Sequence, residues 1–463
     1  MSGALSAWRD RRLTGAPSRR ITLAFGASSF PIQLMAQTFA AFVVYFYVEH
    51  LGVPAAWVAG AMVAHGILSA VLNPALGAVS DRARTRWGRR VPWIVIGTGP
   101  LVVAFALIWM PPSLPPVGAL VWFLAVVAVY DAAGVAVVLN ISALFPEIFR
   151  TTGERAKGNT PRQIFGLIGM ILGTAGAPLL YGTIGWAGMG IGLGVVCLGL
   201  YLWSFTGMIE RVPSEVAATA PALGWRDQLR YTLANRAFLT YVIGSLLVQS
   251  STSIVLATVP FYVKYGLGQQ DVADTAVLAA IFAAALPALA GWSWVVRRTS
   301  PRTALLWSMA AYTVASLAYL LPSSLPGAVA VGLALGIGVA GILQLLEVAL
   351  SQIIDDDERR TGLRREGTYY GVNGFVVKGS VIVQAIVVAA VLTASGYDAS
   401  LHTEPSSVVT GVRLLMAVFP AIGAALAFVS FWFYPLRERD VPVPRANDDS
   451  LGDETSEEEP SAV

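Results

Sequence analysis

Charge is scarce in this sequence. Only 13% of its 463 residues are Asp, Glu, Lys or Arg, while 56% are hydrophobic. Soluble domains carry roughly 25% charged residues, so this chain has too little polar surface to cover a soluble globule. Cysteine is nearly absent. The single Cys197 lies in an apolar run and excludes both an internal disulfide and a cysteine-based metal site. Three histidines and one cysteine supply no metal cluster and no nucleophile–base pair, so neither an enzyme nor a resident cofactor is expected. The net charge of +3 is small, and no nucleic-acid partner follows from it.

What the sequence has in abundance is long apolar runs. An α-helix needs about 20 apolar residues to cross a bilayer, and it satisfies its own backbone hydrogen bonds in lipid. Twelve runs qualify, near 22–49, 55–80, 92–111, 116–144, 163–184, 187–209, 238–264, 272–296, 303–321, 325–350, 369–394 and 409–434. The expected fold is an all-α membrane protein. The first run is too long for a cleavable signal peptide and is followed at once by another span.

The basic residues orient these spans. Arg9, Arg11, Arg12, Arg19 and Arg20 precede the first. Arg82, Arg84, Arg86, Arg89 and Arg90 lie between the second and third. Most of the rest fall in the 4–5, 6–7, 8–9 and 10–11 connections and the C-terminal tail, and Lys264 and Arg413 alone fall on the other side. Cationic loops stay on the side of synthesis, which predicts cytoplasmic termini on a multi-pass protein of the cell membrane.

The longest connection, 210–237, holds Arg211, Arg226, Arg230 and Arg236 with Trp225 and Leu229 interleaved. It reads as an amphipathic linker on the membrane surface. It separates a first half, 22–209, from a second, 238–434. The N-terminus (1–21) is expected in the cytoplasm, and the acidic tail (435–463) is expected to be disordered. The halves repeat weakly. Asn73-Pro74-Ala75-Leu76-Gly77 leads into Arg89-Arg90, and Pro287-Ala288-Leu289-Ala290-Gly291 leads into Arg297-Arg298. Thr152-Gly153-Glu154-Arg155 follows span 4, and Thr361-Gly362-Leu363-Arg364-Arg365 follows span 10. Two related six-helix halves resemble the architecture of major facilitator transporters, with a site between them at mid-membrane.

Three stretches carry a closer resemblance. They are Gly77 to Trp93, with Asp81-Arg82 and Trp87-Gly88-Arg89-Arg90; Phe145-Pro146-Glu147 through Arg155 to Arg162; and Ile354-Asp355-Asp356-Asp357-Glu358 through Glu366-Gly367-Thr368-Tyr369-Tyr370-Gly371 to Lys378. They resemble the glycoside-pentoside-hexuronide:cation symporters, the melibiose permease type, and the sucrose/proton symporters. The resemblance spans most of 22–436 and implies alternating-access transport of a small-molecule substrate; a monomer among membrane lipids is expected. The residues themselves read as cytoplasmic gating charges. Asp81 and Asp355 can pair with Arg82, Arg89, Arg90, Arg155, Arg162, Arg364 or Arg365 in one state and part in the other.

Ionisable groups inside a span are costly and point to function. Asp131 sits in span 4 with no cation close in sequence, which suits a carboxyl that takes up and releases a proton. The spacing from Asp131 to Glu147 is similar to a sucrose-transporter segment, which implies proton coupling. Lys378 in span 11 matches a lysine that lies near the sugar and cation sites of the melibiose permease type. Glu347 in span 10 is placed to pair with Lys378. His65 in span 2 reads as a proton relay or as a hydrogen-bonded structural histidine. Gln33, Asn140 and Gln249 complete a set of candidate substrate contacts with Lys378 and Glu347.

The pattern also departs from the family. Ser69 and Asn73 stand where sodium-coupled members carry two aspartates, and Gln33 and Val138 stand where sugar-binding aspartates are found. A hard cation prefers anionic oxygens, so Na⁺ and Li⁺ are not expected to drive this chain. Two transport readings follow: a proton-coupled symporter of a sugar, glycoside or related polar solute, or a proton-coupled exporter or carrier of an amphiphile. The apolar run from Val135 to Leu139 suits the second. A receptor or scaffold without transport leaves the buried charges and the two ordered halves unexplained.

Overall fold

The computed structural model describes residues 16–82, 90–149, 151–209, 234–269, 272–361, 366–398 and 405–435. These residues are helical with short connections, and no strand occurs among them. The linker positions 210–233 and the tail from 436 lie outside the described residues.

The helices are α1 (Arg19–His50), α2 (Ala55–Arg82), α3 (Val91–Ile108), α4 (Pro116–Ile148), α5 (152–184), α6 (186–204), α7 (Arg236–Gly266), α8 (Val272–Arg298), α9 (Pro301–Leu320), α10 (Leu325–Thr361), α11 (Glu366–Ala394) and α12 (Ser406–Trp432). Eleven stretches are long and apolar enough to cross a bilayer, and one of them, Gly153–Gly207, is 55 residues long. At 1.5 Å per residue a straight helix of that length would span about 80 Å, far more than a bilayer. Gly185 divides it. Its φ of 77° is a left-handed conformation that only glycine takes without strain, so the chain turns back there. The twelve expected crossings are thus all present among the described residues.

Packing explains which helices meet. Gly169 and Gly173 of α5 lie against the backbone of Phe30 and Leu34 of α1, where a Cβ would come within 2.3 and 2.5 Å of a carbonyl oxygen. Small residues let membrane helices approach this closely. The first six helices pack mainly on one another, as do the last six. The two groups meet along α1–α7, α2–α11 and α5–α8. Large apolar side chains such as Leu202, Val314 and Leu426 are exposed, as a bundle surrounded by lipid rather than water allows.

Several helices are longer than the apolar runs. α5 begins at Thr152 rather than near 163, and α10 runs to Thr361 rather than ending near 350. These extra turns are polar, so hydropathy does not register them. Thr151 caps α5 by accepting from Glu154 N at 3.2 Å, and the Glu154 side chain accepts from Thr151 N in return. The Thr-Gly-Glu-Arg motif is therefore partly a helix start.

Candidate functional site

One face of α2 carries the site. His65, Ser69 and Asn73 recur every four residues, which aligns them along one side of a helix. α2 is packed on α4 within its own group and on α11 of the other group. The same stripe thereby touches both of the mid-span charges.

Asp131 points from α4 to His65, and Asp131 Oδ2 lies 2.6 Å from His65 Nδ1. The aspartate is 6% exposed. Aromatic rings close over the pair. Phe39 of α1 stands 5.2 Å from the His65 ring and 5.6 Å from Tyr130. A carboxylate in such surroundings needs a charged or donating partner, and the imidazole supplies it.

One turn further along α2, the Ser69 hydroxyl accepts from Lys378 Nζ of α11. Lys378 also lies within the field of Asp131. Asn73 turns its amide back to Ser69 O at 2.7 Å. Lys378 therefore bridges the two helix groups through Ser69 rather than pairing with Glu347 as expected. The reason is topological: α2 packs directly on α11 across the two groups, which brings Ser69 to Lys378, whereas Glu347 lies on α10 and is exposed.

The remaining candidates are distributed around this centre. Gln33 of α1 lies beside Gly166 of α5. Asn140, 1% exposed, donates to Ala136 O at 2.8 Å, and its Oδ1 meets no partner among the described residues. Gln249 donates to Ser245 Oγ at 2.6 Å within α7. Tyr241 of the same helix donates to Asn373 Oδ1 of α11 at 3.1 Å. Gln33 and Asn140 thus belong to the first helix group, and Gln249 and Glu347 to the second.

The expected gating charges are only partly described. Arg89, Arg364 and Arg365 lie outside the described residues, and so do the side chains of Asp81 and Arg82. Arg90 Nε meets Glu147 Oε1 at 2.7 Å, joining the start of α3 to the end of α4. Arg155 Nε donates to Phe149 O at 3.0 Å. The Arg162 guanidinium lies 4.5 Å from the centre of the Phe145 ring. These three arginines gather around the Phe145-Pro146-Glu147 end of α4, inside one helix group. Asp355 is half-buried near the end of α10. Its neighbour Asp356 pairs with Arg360 at 2.9 Å within the same helix.

The sequence did not point to a second cluster, at the bundle face opposite the start of α1. There Glu49, at the end of α1, accepts from Lys264, Tyr265 and Tyr397 of the other helix group. Nearby, Tyr181 of α5 donates to Asp274 of α8 at 2.5 Å. The available signal was a lone acid at the end of the first span of one half and a lone lysine at the end of the first span of the other.

Known proteins share this arrangement of helices. The chain is 22% identical to the isoprimeverose transporter of Lactiplantibacillus pentosus, over 93% of this chain and 92% of that protein. It is also 22% identical to sodium-dependent lysophosphatidylcholine symporter 1 of Xenopus tropicalis, over 90% of this chain and 87% of that one. A bacterial homolog of the human lysosomal transporter Spinster, solved inward-facing and unoccupied, superposes with a TM-score of 0.69 at 14% identity, covering 90% of this chain and 98% of that one. The family model for MFS/sugar transport proteins matches residues 24–438. Helices, intramembrane charges and family match lead to one conclusion: the chain belongs to the MFS/sugar transport family and is a multi-pass membrane transporter, not an enzyme.

Proposed function

We propose that the protein is a proton-coupled symporter of a sugar, glycoside or related polar solute, with Asp131 as the proton carrier. The observation that carries this reading is the buried Asp131–His65 pair at 2.6 Å, with Lys378 held one turn away by Ser69. A carboxylate and an imidazole in contact can exchange and share a proton. The centre has one carboxylate set against a histidine and a lysine. A hard metal cation needs several oxygen ligands, anionic ones among them, and would meet an ammonium here instead. A proton needs one basic site.

The centre lies between two groups of six helices, at the α2–α11 contact. Rocking of these halves would expose it to each side in turn. The halves divide at 210–237, and the arginine-rich face, where the chain enters α1 and leaves α12, is cytoplasmic. Lys378, Gln33, Asn140, Gln249 and Glu347 present amide, ammonium and carboxylate groups that suit hydroxyl-bearing solutes. Substitution Asp131→Asn tests the reading. Accumulation driven by a pH gradient should be lost while counterflow exchange continues. Accumulation that survives the substitution refutes Asp131 as the carrier.

A second reading, an amphiphile carrier or exporter, rests on a separate observation. A groove of about 630 Å³ between α2, α3 and α4 is lined by Leu76, Trp93, Ile96, Pro100, Val129 and Ala133 among others, nearly all apolar atoms. It has the chemistry to hold a hydrocarbon chain. Uptake of labelled sugars and labelled lysolipids into inside-out and right-side-out vesicles separates the two readings and gives the direction.

A further inference from the structure

The face of the bundle opposite the start of α1 is closed by two ties between the helix groups. The larger centres on Glu49, whose side chain is 7% exposed. Its carboxylate accepts from the Lys264 ammonium and the Tyr397 hydroxyl, and from the Tyr265 hydroxyl at 2.7 Å to each oxygen. Lys264 and Tyr265 end α7, and Tyr397 follows α11. One acid of the first group therefore holds two elements of the second. The Tyr265 and Tyr397 rings stand edge to face at 5.9 Å, and Lys264 lies 5.3 Å from the Tyr265 ring. Arg413 of α12 donates to Gly266 O at 3.3 Å, which fixes the turn carrying both α7 donors.

The second tie is the Tyr181–Asp274 hydrogen bond from α5 to α8, with Asp274 1% exposed. One turn below Glu49, Tyr45 meets Phe261 edge-on at 4.9 Å, and both rings are buried. Two acids and an aromatic plug thus join the helix groups at one membrane face. Hydrogen bonds to an ionised carboxylate are about twice as strong as neutral ones, and a carboxylate left buried without donors is costly. Contacts of this kind belong to one state of a rocking bundle and must break together in the other.

We infer that Glu49 is the hub of a latch that shuts this face of the transporter, with Asp274–Tyr181 as its second bolt. The latch acts on the position of the halves, whatever ion or solute the mid-membrane centre takes. Releasing Glu49 from its three donors frees α1 from the ends of α7 and α11, and releasing Asp274 frees α5 from α8.

The test uses purified full-length protein in detergent and a cysteine reporter, Ala257→Cys. Position 257 is 1% exposed and lies one turn below Phe261 on the same side of α7. The native Cys197, buried in α6 at 0% exposure, serves as the internal folding control. Maleimide labelling is followed by peptide mass mapping. In Glu49→Gln, and separately in Asp274→Asn, the labelling rate of the reporter thiol should rise about tenfold, the change for about 1.4 kcal/mol of lost latch energy, and further in the double variant. Cys197 should stay unlabelled. A protected Cys197 with an unchanged reporter rate in the double variant overturns the inference. If Cys197 also labels, the protein has opened generally, and Tyr265→Phe and Tyr397→Phe, which each remove one hydroxyl, take over the same readout with the same two outcomes.

Discussion

The Nδ1 atom of His65 lies 2.6 Å from Oδ2 of Asp131, joining α2 to α4 well inside both helices. His65 keeps 16% of its side chain exposed and Asp131 7%, so water competes little for the contact between them. Removal of one partner leaves a buried polar group unsatisfied, at about 1–3 kcal/mol. His65→Ala and Asp131→Asn should each lower the unfolding temperature of the purified protein. Their double variant should cost less than the sum of the singles, since residues in contact couple by about 0.5–3 kcal/mol. Strict additivity would mean that the pair carries no interaction energy.

Lys378 on Ser69 makes a prediction about the driving ion. Replacing Na⁺ by a bulky organic cation at fixed pH should leave transport unchanged in the native protein, because Ser69 and Asn73 supply no carboxylate beside the ammonium. Ser69→Ala removes the acceptor from Lys378 and should weaken substrate binding more than it weakens folding. Initial-rate measurements at several solute concentrations would show this as a raised KM. A requirement for Na⁺ in the native protein would sink the proposed proton coupling.

Tyr397 bears on the pH response of the latch. Its phenol lies outside the spans, and burial, followed by the Glu49 charge, raises its pKa above the ordinary value near 10. A folded-state pKa raised above the unfolded one contributes stability that is complete below the unfolded value. That stability is lost only as pH rises through the folded one. The phenol therefore remains a donor to Glu49 as pH climbs to about 10. Absorbance titration at 295 nm should give the same tyrosinate amplitude for the native protein and Tyr397→Phe up to that pH. A larger native amplitude would show that Tyr397 ionises early.

Arg90 and Glu147 brace the α3–α4 end. Arg90 is mostly buried, with 11% of its side chain exposed, while Glu147 keeps 31%. Breaking a fully buried pair costs about 3–5 kcal/mol. Solvent at Glu147 reduces this, so Glu147→Gln should destabilise by about 1–2 kcal/mol. Thermal unfolding in detergent measures it, and a loss of the full buried-pair value would mean that Glu147 is drier than its exposure indicates.

Much of the fold was legible because lipid imposes a simple rule. A crossing must be apolar and helical, so twelve runs gave twelve crossings, and even the turn at Gly185 fell in the gap between the fifth and sixth. The polar ends of α5 and α10 were invisible to that rule, since they gain nothing from lipid. Asp131, Lys378 and His65 each stood out as ionisable groups in apolar runs. Their meeting did not. It follows from α2 packing on α4 and α11 at once, which brings positions 66 and 309 residues apart into contact. Glu49 escaped notice because an acid at a helix end resembles an ordinary interfacial residue. Its importance comes from donors more than 200 residues away.

The α1–α5 contact gives the last prediction. A Cβ at Gly169 would lie 2.3 Å from Phe30 O, a backbone atom that cannot swing aside. Gly169→Ala must push α5 away from α1, and overpacking of this kind costs about 1–3 kcal/mol. Gly153, in the first turn of the same helix, has nothing within 4 Å of its would-be Cβ. There Gly→Ala gains helix propensity of up to about 1 kcal/mol. The two substitutions are chemically identical and should shift the unfolding temperature in opposite directions. The Gly169 variant should also slow transport, because α5 carries Tyr181 into its bond with Asp274 and must keep its register on α1 for that bond to form. Equal shifts for both variants would show that helix propensity, not the close approach of α1 and α5, governs this helix.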